Sequence, residues 1–135
     1  MTKILLIDDE TDVRESVSRV LEREGHTVQT AENAEAGLAL AKNGNFDILI
    51  SDVIMPGIDG VQAIRQIRNS HPDMKIIAIS GGGNFGRRAY QPEAITTTAY
   101  LQAAVEAGAD WVLTKPFERS ELVDCVNELI TATKQ

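Results

Sequence analysis

Lys3-Ile4-Leu5-Leu6-Ile7-Asp8-Asp9-Glu10 is the stretch on which the fold turns. Its apolar residues are continuous rather than alternating, as in a strand buried on both faces of a parallel sheet. The run stops at Asp8 after four apolar residues, too few for the apolar segment of a secretion signal. Outward from it, Thr11–Glu24 places Val13, Val17, Val20 and Leu21 at helical spacing, and Gly25 fits the end of that helix. Thr27–Thr30 reads as a weak second strand. Asn33 is a good N-cap for a helix running to about Asn43, closed by Gly44. Phe46–Ser51 is strongly apolar and reads as the third strand, and Asp52 to Gly60, with Pro56 and Gly57, as a loop. A helix follows from about Val61 to Asn69, with Val61, Ile64 and Ile67 on one side. Lys75–Ile79 and Trp111–Thr114 are the fourth and fifth strands. The last helix, roughly Glu118–Thr133, carries Leu122, Cys125, Val126, Leu129 and Ile130 on one stripe.

Strand and helix thus alternate five times, which predicts an α/β fold with a parallel sheet covered on both faces. The 135 residues are expected to form a single domain over 1–135 with no output domain, large enough to bury roughly two-thirds of the unfolded surface. A hydrophobic content of 43% with 24% charged residues is ordinary for a globular domain and argues against disorder. The net charge of -7 repels a phosphate backbone and argues against binding nucleic acid. No apolar run approaches the ~20 residues a membrane helix needs. Cys125 is the single cysteine, so no internal disulfide can form. A soluble cytoplasmic protein is expected. One region departs from the rhythm: Gly81–Pro92 is Gly-rich, then basic, and longer than the usual loop of ~2–6 residues between strand and helix.

In an open parallel sheet, ligands bind beyond the carboxyl ends of the strands. Asp8-Asp9 follows the first strand, Asp52 the third, Ser80 the fourth, and Lys115, itself followed by Pro116, the fifth. On this fold these residues converge on one edge. Three carboxylates so placed repel one another and stay ionised only beside a cation. Lys115 supplies one positive charge, and a hard divalent ion with oxygen ligands, most simply Mg²⁺, would supply the rest. Such a site is aimed at a phosphoryl group, with Asp52 placed to attack phosphorus and form an aspartyl phosphate.

At these residues the sequence resembles the response-regulator receiver domains of two-component signalling, in particular stand-alone single-domain receivers. The matching segments are Ile4-Leu5-Leu6-Ile7-Asp8-Asp9-Glu10, Ser51-Asp52-Val53-Ile54-Met55-Pro56-Gly57-Ile58-Asp59-Gly60, Ile77-Ala78-Ile79-Ser80-Gly81 and Gly108-Ala109-Asp110-Trp111-Val112-Leu113-Thr114-Lys115-Pro116-Phe117. The resemblance implies a flavodoxin-like, doubly wound five-stranded sheet of order 2-1-3-4-5. It implies Asp52 as phosphoacceptor, with Mg²⁺ held by Asp9 directly, by Asp8 mostly through water, by Asp52 and by the backbone carbonyl of Ile54. It gives Ser80, Gly81 and Lys115 phosphoryl-binding and signalling roles, and expects a cis Lys115–Pro116 bond. The implied partners are a sensor histidine kinase or a histidine phosphotransfer protein and a downstream protein, with no nucleic acid or membrane insertion, the receiver being a monomer or weak dimer. Its only catalysis would be its own phosphorylation and dephosphorylation. The family usually carries an aromatic switch residue three positions before the lysine. Here that position is Val112, and Trp111, its neighbour on the strand, faces the opposite side of the sheet. The enlarged Gly81–Pro92 loop is a candidate replacement for the mobile ring, or a partner-specific surface.

Other readings compete with these. Asp8-Asp9 alone could merely complement a helix dipole, and Asp52 alone could be a turn residue. Gly81–Gly86 formally fits G-x-G-x-x-G, which would make the chain a flavodoxin-like flavin or nucleotide module, but the fingerprint belongs on a first strand that opens directly into a helix. A Mg²⁺-dependent phosphohydrolase acting through Asp52 is a third possibility, without a second Asp two residues on, where Ile54 stands. His26 and His71 share no ligand spacing, Arg87 and Arg88 read as solvated, and Cys125, Trp111 and Phe117 read as packing residues.

Overall fold

The computed structural model describes residues 2–53, 60–80, 102–115 and 117–134. Ile54, Gly81, Pro116 and the Gly81–Pro92 loop lie outside them. The described elements run β1 (Lys3–Ile7), α1 (Thr11–Arg23), β2 (Thr27–Ala31), α2 (Ala34–Asn43), β3 (Ile48–Asp52), α3 (Gly60–Ser70), β4 (Lys75–Ser80), α4 (helical over 102–107), β5 (Trp111–Thr114) and α5 (Arg119–Lys134). All strand pairs are parallel, and the five-stranded sheet has the order β2-β1-β3-β4-β5. From β1 the chain crosses outward to β2 and then returns past β1 to β3. The loops after β1 and β3 therefore part in opposite directions and leave a crevice at the carboxyl rim.

The alternation of side chains along a strand divides the core into two layers. Leu5, Ile7, Leu49, Ile76 and Ala78 pack under α2, α3 and α4, while Ile4, Leu6, Ile48, Ile50, Ile77 and Ile79 pack under α1 and α5. β1, β3 and β4 are buried almost throughout, which is why they are continuous apolar runs. β2 is an edge strand, with only Val28 half-buried and Ala31 buried, so its sequence signal is weak.

Two boundaries shift from the sequence reading in ways that matter. β3 begins at Ile48, because the Asp47 backbone N–H donates to the Lys3 carbonyl and the Asp47 side chain accepts from the Lys3 N–H, which makes Phe46-Asp47 a connection. β3 also ends on Asp52, not Ser51, so Asp52 is held by the sheet and not by a loop. At the opposite edge, Arg68 on α3 uses all five of its N–H donors, on the Gly108, Pro72 and Met74 carbonyls and on Asp110 Oδ2. That fork ties the end of α3 to the starts of β4 and β5.

Candidate functional site

Three registers bring the strand ends level: Ile7 with Ser51, Asp52 with Ile79, and Ser80 with Thr114. Asp8, Asp9, Asp52, Ser80 and Lys115 each stand at or one or two residues past a strand end. Backbone bonds carry the pairing onward, from Asp8 N–H to the Ala31 carbonyl, from Val53 N–H to Ile79 and from Lys115 N–H to Ser80. The Arg14 guanidinium donates to the Asp8 carbonyl at 2.8 Å, which pins the first turns of α1 against the end of β1.

Lys115 is at the centre. Its side chain is almost wholly buried, and Nζ lies 3.0 Å from Asp8 Oδ2, 2.9 Å from Glu10 Oε2 and 3.3 Å from Asp52 Oδ2. Burial alone would push its pKa down. The Asp52 charge, the hydrogen bond to Glu10 and the Asp8 charge outweigh it and hold the ammonium above the ordinary lysine range, so Lys115 is charged at any physiological pH. At Asp8 it is burial that prevails. Burial pushes its carboxyl pKa up, against the Glu10 N–H bond to its Oδ1 and the nearby lysine, which pull it down.

Oxygens of Asp8, Asp9, Glu10 and Asp52 all lie within 4.8 Å of one another. Asp8 Oδ2 and Asp9 Oδ1 are buried and, among the described residues, accept no hydrogen bond, the former being only ion-paired. A set of hard oxygen donors crowded around one ammonium, with lone pairs that no donor satisfies, fits a small divalent cation such as Mg²⁺. Ser80 Oγ is also buried without a hydrogen-bond partner among the described residues.

Two neighbours complete the geometry, and sequence reasoning gave neither a role. In the sequence Glu10 is simply the end of the acidic run. Gly60 opens α3 directly over the end of β3, donating its N–H to the Val53 carbonyl. A Cβ there would collide with the Asp52 carbonyl oxygen and the Val53 Cα, so only glycine lets α3 close on the strand that presents Asp52. Val112 is half-buried against the α2, α3 and α4 layer, while Trp111 is 38% exposed. A cleft of about 270 Å³ between α1 and the start of α5, lined by Glu10, Asp12, Val13, Ser16, Val17, Lys115 and Phe117, opens beside the lysine.

A family model for the response regulator receiver domain matches residues 4–127. The chain belongs to that family. The receiver is 33% identical over 134 residues to the transcriptional regulatory protein ResD of Bacillus subtilis (strain 168), covering 99% of this chain and 50% of ResD. It is 33% identical over 132 residues to the response regulator MprA of Mycobacterium ulcerans (strain Agy99), covering 98% of this chain and 51% of MprA. It thus spans about half the length of these curated relatives. Among solved structures it is similar to the chemotaxis response regulator CheY4 of Vibrio cholerae, with a TM-score of 0.78 and 28% identity over 96% of this chain and 98% of that one. A CheY-like receiver domain protein from Methanospirillum hungatei JF-1 gives a TM-score of 0.83 at 26% identity, over 99% and 97% of the two chains. Receivers of this family are phosphoacceptor switches of two-component signalling, which disfavours the flavin-module and phosphohydrolase readings. Among the described residues no helix is long and apolar enough to cross a membrane.

Proposed function

We propose that this receiver takes a phosphoryl group onto Asp52 from a sensor histidine kinase or a histidine phosphotransfer protein. The observation that carries the reading is the Lys115 ammonium, buried and 3.3 Å from Asp52 Oδ2 at the switch point of the sheet. An Asp52 oxygen attacks phosphorus. The new O–P bond forms as the P–N bond to the donor imidazole breaks, its electron pair returns to nitrogen, and solvent protonates the leaving imidazole where needed. Lys115 neutralises the phosphoryl oxygens, and the Ser80 hydroxyl supplies a further donor to them. Positioning and charge stabilisation do nearly all the work in such a transfer. Asp8, Asp9 and Asp52, joined by the Ile54 carbonyl, would hold Mg²⁺, which when bound supplies further neutralisation of phosphoryl charge.

Catalysis in this reading is confined to the domain's own phosphorylation and dephosphorylation. The output is a changed affinity for a downstream protein, or onward transfer in a relay, because a conformational shift signals only when a partner binds one state better. Acidic net charge supports a protein rather than a nucleic acid as that partner. A donor of this kind acts in the cytoplasm. Val112 offers no ring to rotate, so the signal leaves by another element, with the Gly81–Pro92 segment as the candidate. The test is ³¹P NMR of the protein with phosphoramidate and Mg²⁺. The expected result is an acyl-phosphate resonance that depends on Mg²⁺ and is absent from Asp52→Asn. An unchanged resonance in Asp52→Asn would refute the assignment.

A further inference from the structure

The three carboxylates around Lys115 are not equivalent. An ammonium has three N–H donors, and here Glu10, Asp8 and Asp52 face it at 2.9, 3.0 and 3.3 Å. Glu10 and Asp52 take two of those donors as hydrogen bonds and Asp8 faces the ammonium as an ion pair, so for an arriving phosphoryl oxygen to close on a nitrogen ringed by three carboxylates one of them must give way. Asp8 cannot: it is fully buried and its other oxygen is held by the Glu10 N–H. Asp52 is fixed at the end of β3, with its side chain only 2% exposed. Glu10 makes the shortest contact, yet its side chain is 25% exposed and opens onto the cleft beside α1. It is also the N-cap residue of α1, and its carboxylate makes no capping hydrogen bond there. Solvent and the α1 N-terminus are both places to which it can withdraw.

We propose that Glu10 is an internal stand-in anion, which occupies Lys115 while Asp52 is unmodified and yields to the phosphoryl oxygens. It is a positioning residue that tunes how readily the site accepts an anion, and its role rests on the phosphoacceptor reading of Asp52. The contact is strong enough to hold the resting geometry and exposed enough to be exchanged, because a part-exposed ion pair is worth far less than a buried one.

The experiment is titration of the full chain with beryllofluoride, a phosphoryl mimic, at saturating Mg²⁺, followed by ¹⁹F NMR. Four proteins are compared: wild type, Glu10→Gln, Glu10→Asp and Asp12→Asn. Glu10→Gln removes the charge. Glu10→Asp keeps it but shortens the reach and favours the α1 cap, where Asp is preferred. Asp12 lines the same cleft and forms no ion pair with Lys115 among the described residues. Both Glu10 variants are expected to bind beryllofluoride about three- to fivefold more tightly, the size a part-exposed ion pair supports, with Asp12→Asn unchanged. Equal gains in Asp12→Asn, or a gain in Glu10→Gln without one in Glu10→Asp, would mean that the general field matters and the contact does not, which overturns the proposal. Glu10 variants that bind like wild type, or more weakly, overturn it too. No bound signal in wild type removes the phosphoacceptor reading itself, and this inference with it; a wild-type signal with unaltered variants removes the role of Glu10 alone.

Discussion

Replacing Asp8 with Asn should stabilise the protein in the absence of a divalent cation. Asp8 is fully buried, lies with Asp9, Glu10 and Asp52 in a cluster whose oxygens are within 4.8 Å of one another, and meets one ammonium at 3.0 Å. At an effective dielectric of about 20, two unit charges 4.8 Å apart interact by about 3.5 kcal/mol, and two at 3.0 Å by about 5.5 kcal/mol. Three repulsions against one attraction leave Asp8 with a net penalty of roughly 5 kcal/mol before screening. Asp9 and Glu10 are part-exposed, so much of their share is lost to solvent and salt, and about 1–2 kcal/mol survives as a gain on neutralising Asp8. Its titration has the same sign, with burial as the leading cause and the Glu10 charge adding to it. A carboxyl whose folded pKa is raised contributes stability below its ordinary value of 3.8 that is lost as pH rises through the folded value, so ionised Asp8 is a cost at neutral pH and Asn does not carry it. Calorimetry in EDTA should therefore show Asp8→Asn melting higher, by about 3–5 °C per kcal/mol for a domain of this size. Magnesium at about ten times its dissociation constant then adds about 1.4 kcal/mol to wild type and little to the variant, so the two curves converge. A variant that melts below wild type in EDTA, or equal stabilisation of both proteins by magnesium, would refute the electrostatic reasoning.

Lys115→Met leaves Asp8 and Asp52 buried without their cation and should cost about 3–5 kcal/mol in urea unfolding, with magnesium recovering part of the loss. Gly60→Ala forces α3 away from the Asp52 carbonyl and should destabilise by about 1–3 kcal/mol, while slowing acyl-phosphate formation in the ³¹P assay because Asp52 moves with the strand end. Unfolding free energy should fall between pH 9 and about 12: burial pushes the Cys125 thiol up to about 12 from 9.0, so the unfolded chain loses that proton first, and stability present below pH 9 is lost as pH rises through the folded value. Lys115, raised too, adds to the fall above its ordinary 10.5, and Cys125→Ala should remove only the thiol's part of the slope.

The parts of this molecule that sequence makes legible are those buried on both sides. Ile4–Ile7, Ile48–Ile50 and Ile76–Ile79 are continuous apolar runs because helices cover both faces of β1, β3 and β4. The edge strand β2 is faint because it is half solvated, and its last residue, Ala31, is strand only because β1 pairs with it. Strand order is invisible to periodicity: no local pattern distinguishes 2-1-3-4-5 from its alternatives, and that order came with the family resemblance. The acids and Lys115 could be located because each follows an apolar run, so that strand ends become chemical positions. Glu10 and Gly60 could not. The bond from Glu10 to Lys115 joins residues 105 positions apart, and the need for glycine at Gly60 arises from the approach of α3 to β3.

Reductive trapping tests the central claim most directly. The receiver is incubated with a small phosphodonor and Mg²⁺, reduced with borohydride, which converts an aspartyl phosphate to homoserine, then digested and sequenced by mass spectrometry. Homoserine at position 52 alone, absent when magnesium is chelated, is the result expected of an aspartate held beside Lys115. Modification at another carboxylate, or at position 52 irrespective of magnesium, would contradict it.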